Sequence, residues 1–435
     1  MKSDVLNVSH QLLTNIFSIH KIKFKYKDKI GIIKQVRFFM KKVMAVNAGS
    51  SSLKFKLYEM PEEIVICSGI VERIGFDDAI FQIKYNGEKH QTIQPVKNHS
   101  EAVKLLLDAL INFKIIKNYD EIKATGHRIV QGGSYFANSA IINSDTLNKV
   151  RDLIPLSPLH NQAELIGIEA FMHVLPNTPG ICAFDTAFHQ TMEPEDYTYP
   201  IPYEYSEKYQ IRRYGAHGTS HKYLSEKGEA YCNKGHDRMI ICHLGSGASI
   251  TATNHGKCVA TSMGLTPLGG IMMGTRTGDL DPSVFNYCVS KTNKTSEEIY
   301  QEFNKKSGLV GVSGISSDAR DIIEAIKKGN PRAILASKLW ARRVADFIGQ
   351  YYVRLGGCDL IIFSAGIGEN SAPFRKLALD NIKEALNVKI DENANNEACG
   401  VEKVISSKDS AIKVVVIPTD EEVMIARDAY NMLLK

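Results

Sequence analysis

The chain has 435 residues, 44% hydrophobic and 23% charged, with a net charge of +5. This composition excludes collagen-like, low-complexity and disulfide-scaffold classes, and the length predicts about two to three domains. The positive excess is local: residues 1–42 carry ten Lys and Arg against Asp4 and Asp28, so the remainder is slightly acidic and suggests no nucleic-acid surface.

No apolar run reaches the length of a membrane span, and the N-terminus lacks the uninterrupted apolar core of a signal peptide. The eight cysteines are scattered without a C-x-x-C pair. Cys182 and Cys242 sit in apolar runs, as free thiols do in a reducing, cytoplasmic compartment. Met40-Lys41-Lys42-Val43 reads as a natural start. The preceding 1–39 segment reads as a basic arm, an expression artefact or a true extension; a dispensable extension is expected.

The run Val43 to Leu57 predicts a strand, a Gly/Ser turn at 49–52 and a second strand with Leu53, Phe55 and Leu57 on one face. Strands are expected at 64–70 and 79–85. Ser100 should cap a helix bearing Val103, Leu106, Leu107, Leu110 and Ile111. A short strand at 122–125 leads into a Gly-flanked loop around Arg128, and a strand at 181–184 ends at Asp185. The strand–turn–strand design recurs from Arg238 to Ala252, with its first strand at 238–243. A long helix near 331–354 and strands at 359–363 and 412–417 follow. Each Gly/Ser turn alone suits an ordinary hairpin. Two together suggest paired lobes closing small-residue turns on nucleotide phosphates. No Walker loop is present. Alternating strands and helices give an α/β fold with its site at the carboxyl edges.

Several motifs occur together and in order: Asn47-Ala48-Gly49-Ser50-Ser51-Ser52-Leu53-Lys54, Phe184-Asp185-Thr186-Ala187-Phe188-His189-Gln190, His217-Gly218-Thr219-Ser220-His221, Met273-Gly274-Thr275-Arg276-Thr277-Gly278-Asp279 and Ala365-Gly366-Ile367-Gly368-Glu369-Asn370. From about Met40 onward the chain resembles the acetate kinases. The resemblance implies a two-domain, actin-like ATPase (ribonuclease H-like) fold with duplicated mixed-sheet lobes. Its expected division is 40–189 with 423–435 in one lobe and 190–422 in a nucleotide-binding lobe. It also implies reversible phosphoryl transfer from ATP to acetate, in a homodimer with no nucleic-acid or membrane partner.

By the same resemblance, Asp185, His217 and Arg276 are catalytic. Arg128, Val130, Leu159, His160, Ala216 and Pro267 bind the carboxylic acid, with His160 as support. Two guanidiniums suit a clamp on a carboxylate and a moving phosphoryl group, although an isolated Arg is more often a surface ion-pair partner. A carboxylic acid substrate is already ionised at neutral pH and needs no base. Asp185 is therefore read as orienting Mg²⁺ or Arg128, although family accounts call it the acid/base. Asn47 and Glu421 are expected to hold Mg²⁺, with Mn²⁺ as a substitute; Glu421 also suits the first turn of a helix.

Nucleotide contacts are expected from Lys54, His243, Leu244, Gly245, Ser246, Gly247, Asp318, Ala319, Arg320, Gly366, Ile367, Gly368, Glu369 and Asn370. Lys54 also fits a solvated strand position. The chain departs from the family pattern at Gln131, Ser246, Gly269 and Asp420, and at Ala216, where Phe is usual. That change should widen the acyl pocket, which keeps propionate kinase as the near alternative. An actin-like ATPase or binding module is a rival of another class, as is a nucleic-acid binder acting through the basic arm.

Overall fold

Each of the two Gly/Ser turns opens a mixed sheet. Residues 40–435 are described in this computed structural model, apart from Lys234, His236 and the side chain of Leu159. The 1–39 segment, expected to be dispensable, lies outside the described residues.

The first sheet contains β1 (Lys41–Ala48), β2 (Ser52–Met60), β3 (Ile64–Glu72), β4 (Ala79–Tyr85), β5 (Glu88–Gln94), β6 (Ile122–Ile129), β7 (Ala140–Ile141) and β8 (Gly180–Phe184). Its order is β5-β4-β3-β2-β1-β6-β8-β7. The second contains β9 (Met239–Leu244), β10 (Ala248–Asn254), β11 (Lys257–Thr261), β12 (Leu360–Ser364), β13 (Lys403–Val404) and β14 (Lys413–Val416), in the order β11-β10-β9-β12-β14-β13. These are the two mixed-sheet lobes expected of the actin-like fold.

Parallel pairing decides where the chemistry can collect. β6 lies parallel to β1, with Val46 opposite His127, and parallel to β8, with Ile129 opposite Phe184. β12 likewise lies parallel to β9 and β14. Three strands of each sheet therefore end side by side, leaving the following residues to face a common crevice.

Strand positions agree with the expected ones to within a few residues, except that β6 runs on to Ile129. Arg128 is thus inside a strand rather than in the loop after it. A parallel neighbour on each side supplies hydrogen bonds beyond residue 125. The first helix of the described residues, His99–Asn112, is capped by Asn98 rather than Ser100; the Asn98 side chain accepts from the Glu101 amide at 3.0 Å. The helix Pro331–Arg354 begins and ends as expected, with Asn330 at its N-cap and Pro331 in its first turn.

Two devices join helices to β6. A side chain at Gly126 would collide with Ile425, so glycine lets the helix Glu421–Leu433 lie against the sheet. On the helix Pro158–Val174, Glu164 is 3% exposed and accepts from the Val130 amide at 2.9 Å, just past the end of β6. Burial pushes its carboxyl up to about 8, helped by Asp185 and opposed by Arg128 and by the Val130 amide.

The folded protein therefore retains a proton on Glu164 between about pH 4.5 and 8, where an unfolded chain has lost it. Stability from this group falls as pH rises through that window. Glu164→Gln keeps an acceptor for Val130 but cannot ionise. Its stability relative to the unsubstituted chain should increase by about 2–4 kcal/mol from pH 5 to pH 8, read from urea unfolding. The difference between the two proteins is the informative quantity. The buried histidines, including His127, His189 and His243, have lowered pKa values and titrate in the opposite sense. Parallel curves for the two proteins would remove Glu164 as a protonated group.

Candidate active site

Asn47, Arg128 and Asp185 stand at the adjoining ends of β1, β6 and β8. The Arg128 guanidinium donates from Nη2 to Asp185 Oδ2 at 2.6 Å and from Nε to Asp185 Oδ1 at 3.1 Å. A third donor, Nη1, lies 3.5 Å from Asn47 Oδ1. Asp185 is fully buried, so this two-point pair supplies its charge compensation. Glu421 opens the last helix with Oε2 4.0 Å from Arg128 Nε. Burial pushes the Glu421 carboxyl up to about 7; Asp185, Glu422 and Asp420 add to this and Arg128 opposes it.

The second lobe contributes His217 and Arg276. His217 has φ +60° immediately before the helix Gly218–Gly228. That left-handed backbone is strained for a residue with a side chain. It is held because the Gly218 amide donates to Asp185 O at 2.8 Å, an approach that a side chain at 218 would block. The His217 ring stacks on His243 with centroids 4.2 Å apart. Burial, then His243 and His221, then Arg128 and Arg276 hold the His217 imidazole well below its ordinary pKa.

Arg276 Nη1 donates to the Pro267 carbonyl at 3.1 Å. Arg276, Pro267 and His160 line a cleft of about 450 Å³. There, partial desolvation and then the charges of Arg128 and Arg276 lower the His160 imidazole. Val130 and Ala216 are 5% and 3% exposed. Ala216 belongs to the buried core cluster that includes Met263 and Ile271. Leu159 occupies the first turn of Pro158–Val174, and its side chain lies outside the described residues.

A second cleft of about 460 Å³ brings together Ser246, Asp318, Ala319, Arg320, Gly366, Ile367 and Asn370. Asp318 and Arg320 form a two-point ion pair at its rim, with Nη2 to Oδ2 at 2.6 Å and Nε to Oδ1 at 3.0 Å. Gly245, Ser246 and Gly247 form the β9–β10 turn, and the Gly274 amide donates to Ser246 O at 3.1 Å, tying that turn to the Arg276 loop. His243 shares a 2.8 Å hydrogen bond with Ser220 Oγ, and Leu244 is buried. Glu369 turns inward, accepting from the amides of Ala365 at 2.7 Å and Thr419 at 3.1 Å, so it braces the cleft floor. Gly368 lies on the short helix Ala365–Asn370 behind the same cleft.

Lys54 is exposed on β2. Two positions on, Lys56 bonds both Asp420 and Glu422, each at 3.0 Å. Sequence reasoning missed Lys56, which fixes both neighbours of Glu421 and leaves that carboxylate facing Arg128. It also missed Glu164 and Ser249. Glu164 stands three residues after buried Asn161 and four before buried Ile168, a helical spacing that signals an inward carboxylate. Ser249, Thr251 and Thr253 alternate with Ala248, Ile250 and Ala252, a period-two hydroxyl stripe on β10, and all three hydroxyl residues are fully buried.

Residues 42–427 match the model of the acetokinase family. The acetate kinase of Anoxybacillus flavithermus is 52% identical over 395 residues, spanning 90% of this chain and 99% of that protein. That of Bacillus subtilis is 50% identical, spanning 90% and 100%. Among solved structures, the acetate kinase of Porphyromonas gingivalis superposes with a TM-score of 0.86 at 42% identity, covering 90% of this chain and all of that one. A propionate kinase from Francisella tularensis superposes with a TM-score of 0.85 at 39% identity and the same coverage. Matched over residues 42–427 and about 50% identical to acetate kinases across 90% of its length, the chain belongs to the acetokinase family.

Proposed function

We propose that this protein is an acetate kinase, transferring the γ-phosphoryl group of ATP reversibly to acetate to give acetyl phosphate and ADP. The observation that carries the reading is the convergence of Arg128, anchored by Asp185, with Arg276 and His217 in the crevice between the sheets. A carboxylate oxygen bonds to the γ-phosphorus as the bond to the β,γ-bridging oxygen breaks. No proton need be removed from the acceptor. Positioning and charge stabilisation therefore supply most of the acceleration.

Arg128 orients the acetate carboxylate; Asp185 sets the arginine's plane and takes no proton. Arg276 is held by a carbonyl dipole, so its charge is available to the equatorial phosphoryl oxygens. His217 donates to the same oxygens. The cleft bounded by Ser246, Asp318 and Gly366 receives the nucleotide. Asn47 and Glu421 suit Mg²⁺, or Mn²⁺ in its place. The Glu421 carboxyl, pushed up to about 7 by burial, is an oxygen donor that a cation would hold ionised, whereas both Asp185 oxygens are engaged by Arg128. Bound there with the nucleotide, the ion would neutralise charge on the β- and γ-phosphates. The reading extends to a cytoplasmic homodimer, supported by family resemblance and by eight free cysteines. No helix of the described residues is long and apolar enough to cross a membrane.

Hydroxylamine trapping with ATP and a panel of two- to four-carbon acids tests the assignment. Acetate should give the highest kcat/KM, with propionate next. Preference for propionate would favour the second reading, for which the Francisella propionate kinase at 39% identity is the support. ATP hydrolysis without acyl hydroxamate would sink both.

Arg276→Ala should fold normally and lose about 10²–10³-fold in kcat, the usual cost of a charge-stabilising donor. Arg128→Ala should lose as much activity and also about 3–5 kcal/mol of stability, because Asp185 is left buried and uncompensated. Adding Asp185→Asn should restore stability without restoring turnover. Activity within a few-fold of the unsubstituted enzyme in either arginine variant would refute its role.

Every residue named in this reading lies between Asn47 and Glu421. A chain beginning at Met40 should therefore match the full chain in kcat and melting temperature. A large drop in either would give residues 1–39 a structural part.

A further inference from the structure

Ser249 Oγ lies 2.9 Å from His217 Nδ1 and 2.7 Å from His221 Nε2. One hydroxyl bridges two imidazoles and has a single proton to give. Ser249 and His221 are both fully buried. Among the described residues, His221 Nδ1 is buried without a hydrogen-bond partner. The nearby His189 does not serve it: Nε2 of His189 pairs with the Ala216 carbonyl at 3.1 Å and Nδ1 with Cys258 Sγ at 3.3 Å.

A buried N–H with no acceptor costs more than an unshared ring lone pair, and orphan donors are correspondingly rare. The His221 proton therefore belongs on Nε2, where it is donated to Ser249. Ser249 then has one direction left for its own proton, toward His217 Nδ1. His217 must accept there and carry its proton on Nε2. A methyl group built at Gly247 would stand 3.5 Å from His217 Nε2 and 3.2 Å from Arg276 Nη1, so the two groups flank the β9–β10 turn together.

We propose that Ser249 and His221 act as positioning residues that fix the tautomer of His217, so that Nε2–H rather than a lone pair faces the transferring phosphoryl oxygens. The catalytic consequence rests on the phosphoryl-transfer reading; the tautomer itself rests only on the geometry. Burial holds both rings neutral, and for a neutral imidazole the tautomer decides whether the inward nitrogen attracts or repels an anion. Stacking on His243 holds the plane of the His217 ring while the hydroxyl sets its polarity.

Nitrogen-15 correlation spectra of the full chain labelled at histidine read the tautomer directly. His217 and His221 should each show a protonated Nε2 and a bare Nδ1. Ser249→Ala should abolish the fixed pattern at His217 and lower kcat by about 10- to 100-fold, while KM values for ATP and acetate stay within about twofold. His221→Leu should do the same, and Ser249→Thr, which keeps the hydroxyl, should recover most of the rate. A protonated Nδ1 on His217 in the unsubstituted chain overturns the proposal, even if a variant folds poorly. So does Ser249→Ala with kcat within about twofold of normal. If the unsubstituted chain forms no acyl phosphate, the functional reading fails while the spectra still decide the tautomer.

Discussion

The pair between Arg128 and the fully buried Asp185 is the interaction on which the site depends. A buried carboxylate without a partner would be expelled or protonated, and a guanidinium on a strand end would swing freely. Joined at two points, each fixes the other. The pair also spans β6 and β8, so it is only as accurate as the parallel register between them. Asp185 extends the restraint further, because its carbonyl receives the Gly218 amide and so fixes the start of the helix behind His217. One ion pair thereby places groups from both sheets in a shared frame.

Around it, charge is distributed unevenly. Arg128 is paired with Asp185 and faces Glu421, whereas Arg276 is held by the Pro267 carbonyl. The first guanidinium is a neutralised, rigid fork; the second has no carboxylate partner among the described residues and sits in a partly desolvated cleft. On the proposed reading, such an arrangement would bind a monovalent acid modestly and reserve its strongest field for the more highly charged phosphoryl group. The buried histidines 217, 221 and 243 add no competing charge, since burial keeps them neutral.

Much of this was legible in the sequence because its signals are local. The Gly/Ser turns at 49–52 and 245–247 fixed both hairpins, and period-two alternation fixed the strands beside them. Asp185 at the end of an apolar run was recognisable for the same reason. What escaped depends on tertiary contact. The extra residues of β6 exist because strands on both sides supply hydrogen bonds. Lys56 rather than Lys54 meets an acidic helix start because the last helix crosses β2 at that point. Glu164 and the hydroxyl stripe of β10 did carry periodic signals, but a polar residue at an inward position reads as ambiguous until its partner is known.

The last helix, Glu421–Leu433, covers one face of the first sheet, where Val423, Ile425 and Ala426 close over Val43, Ala45, Ala124 and Ile181. During synthesis those strands leave the ribosome more than two hundred residues before their cover does. At translation speeds of about 5–20 residues per second, the nascent sheet waits with an apolar face open for roughly 10–50 s. A newly made chain must therefore be shielded or held loosely over that interval. Glu421 arrives on the same helix that ends it, so sealing the first lobe and completing its ring of carboxylates happen as a single event.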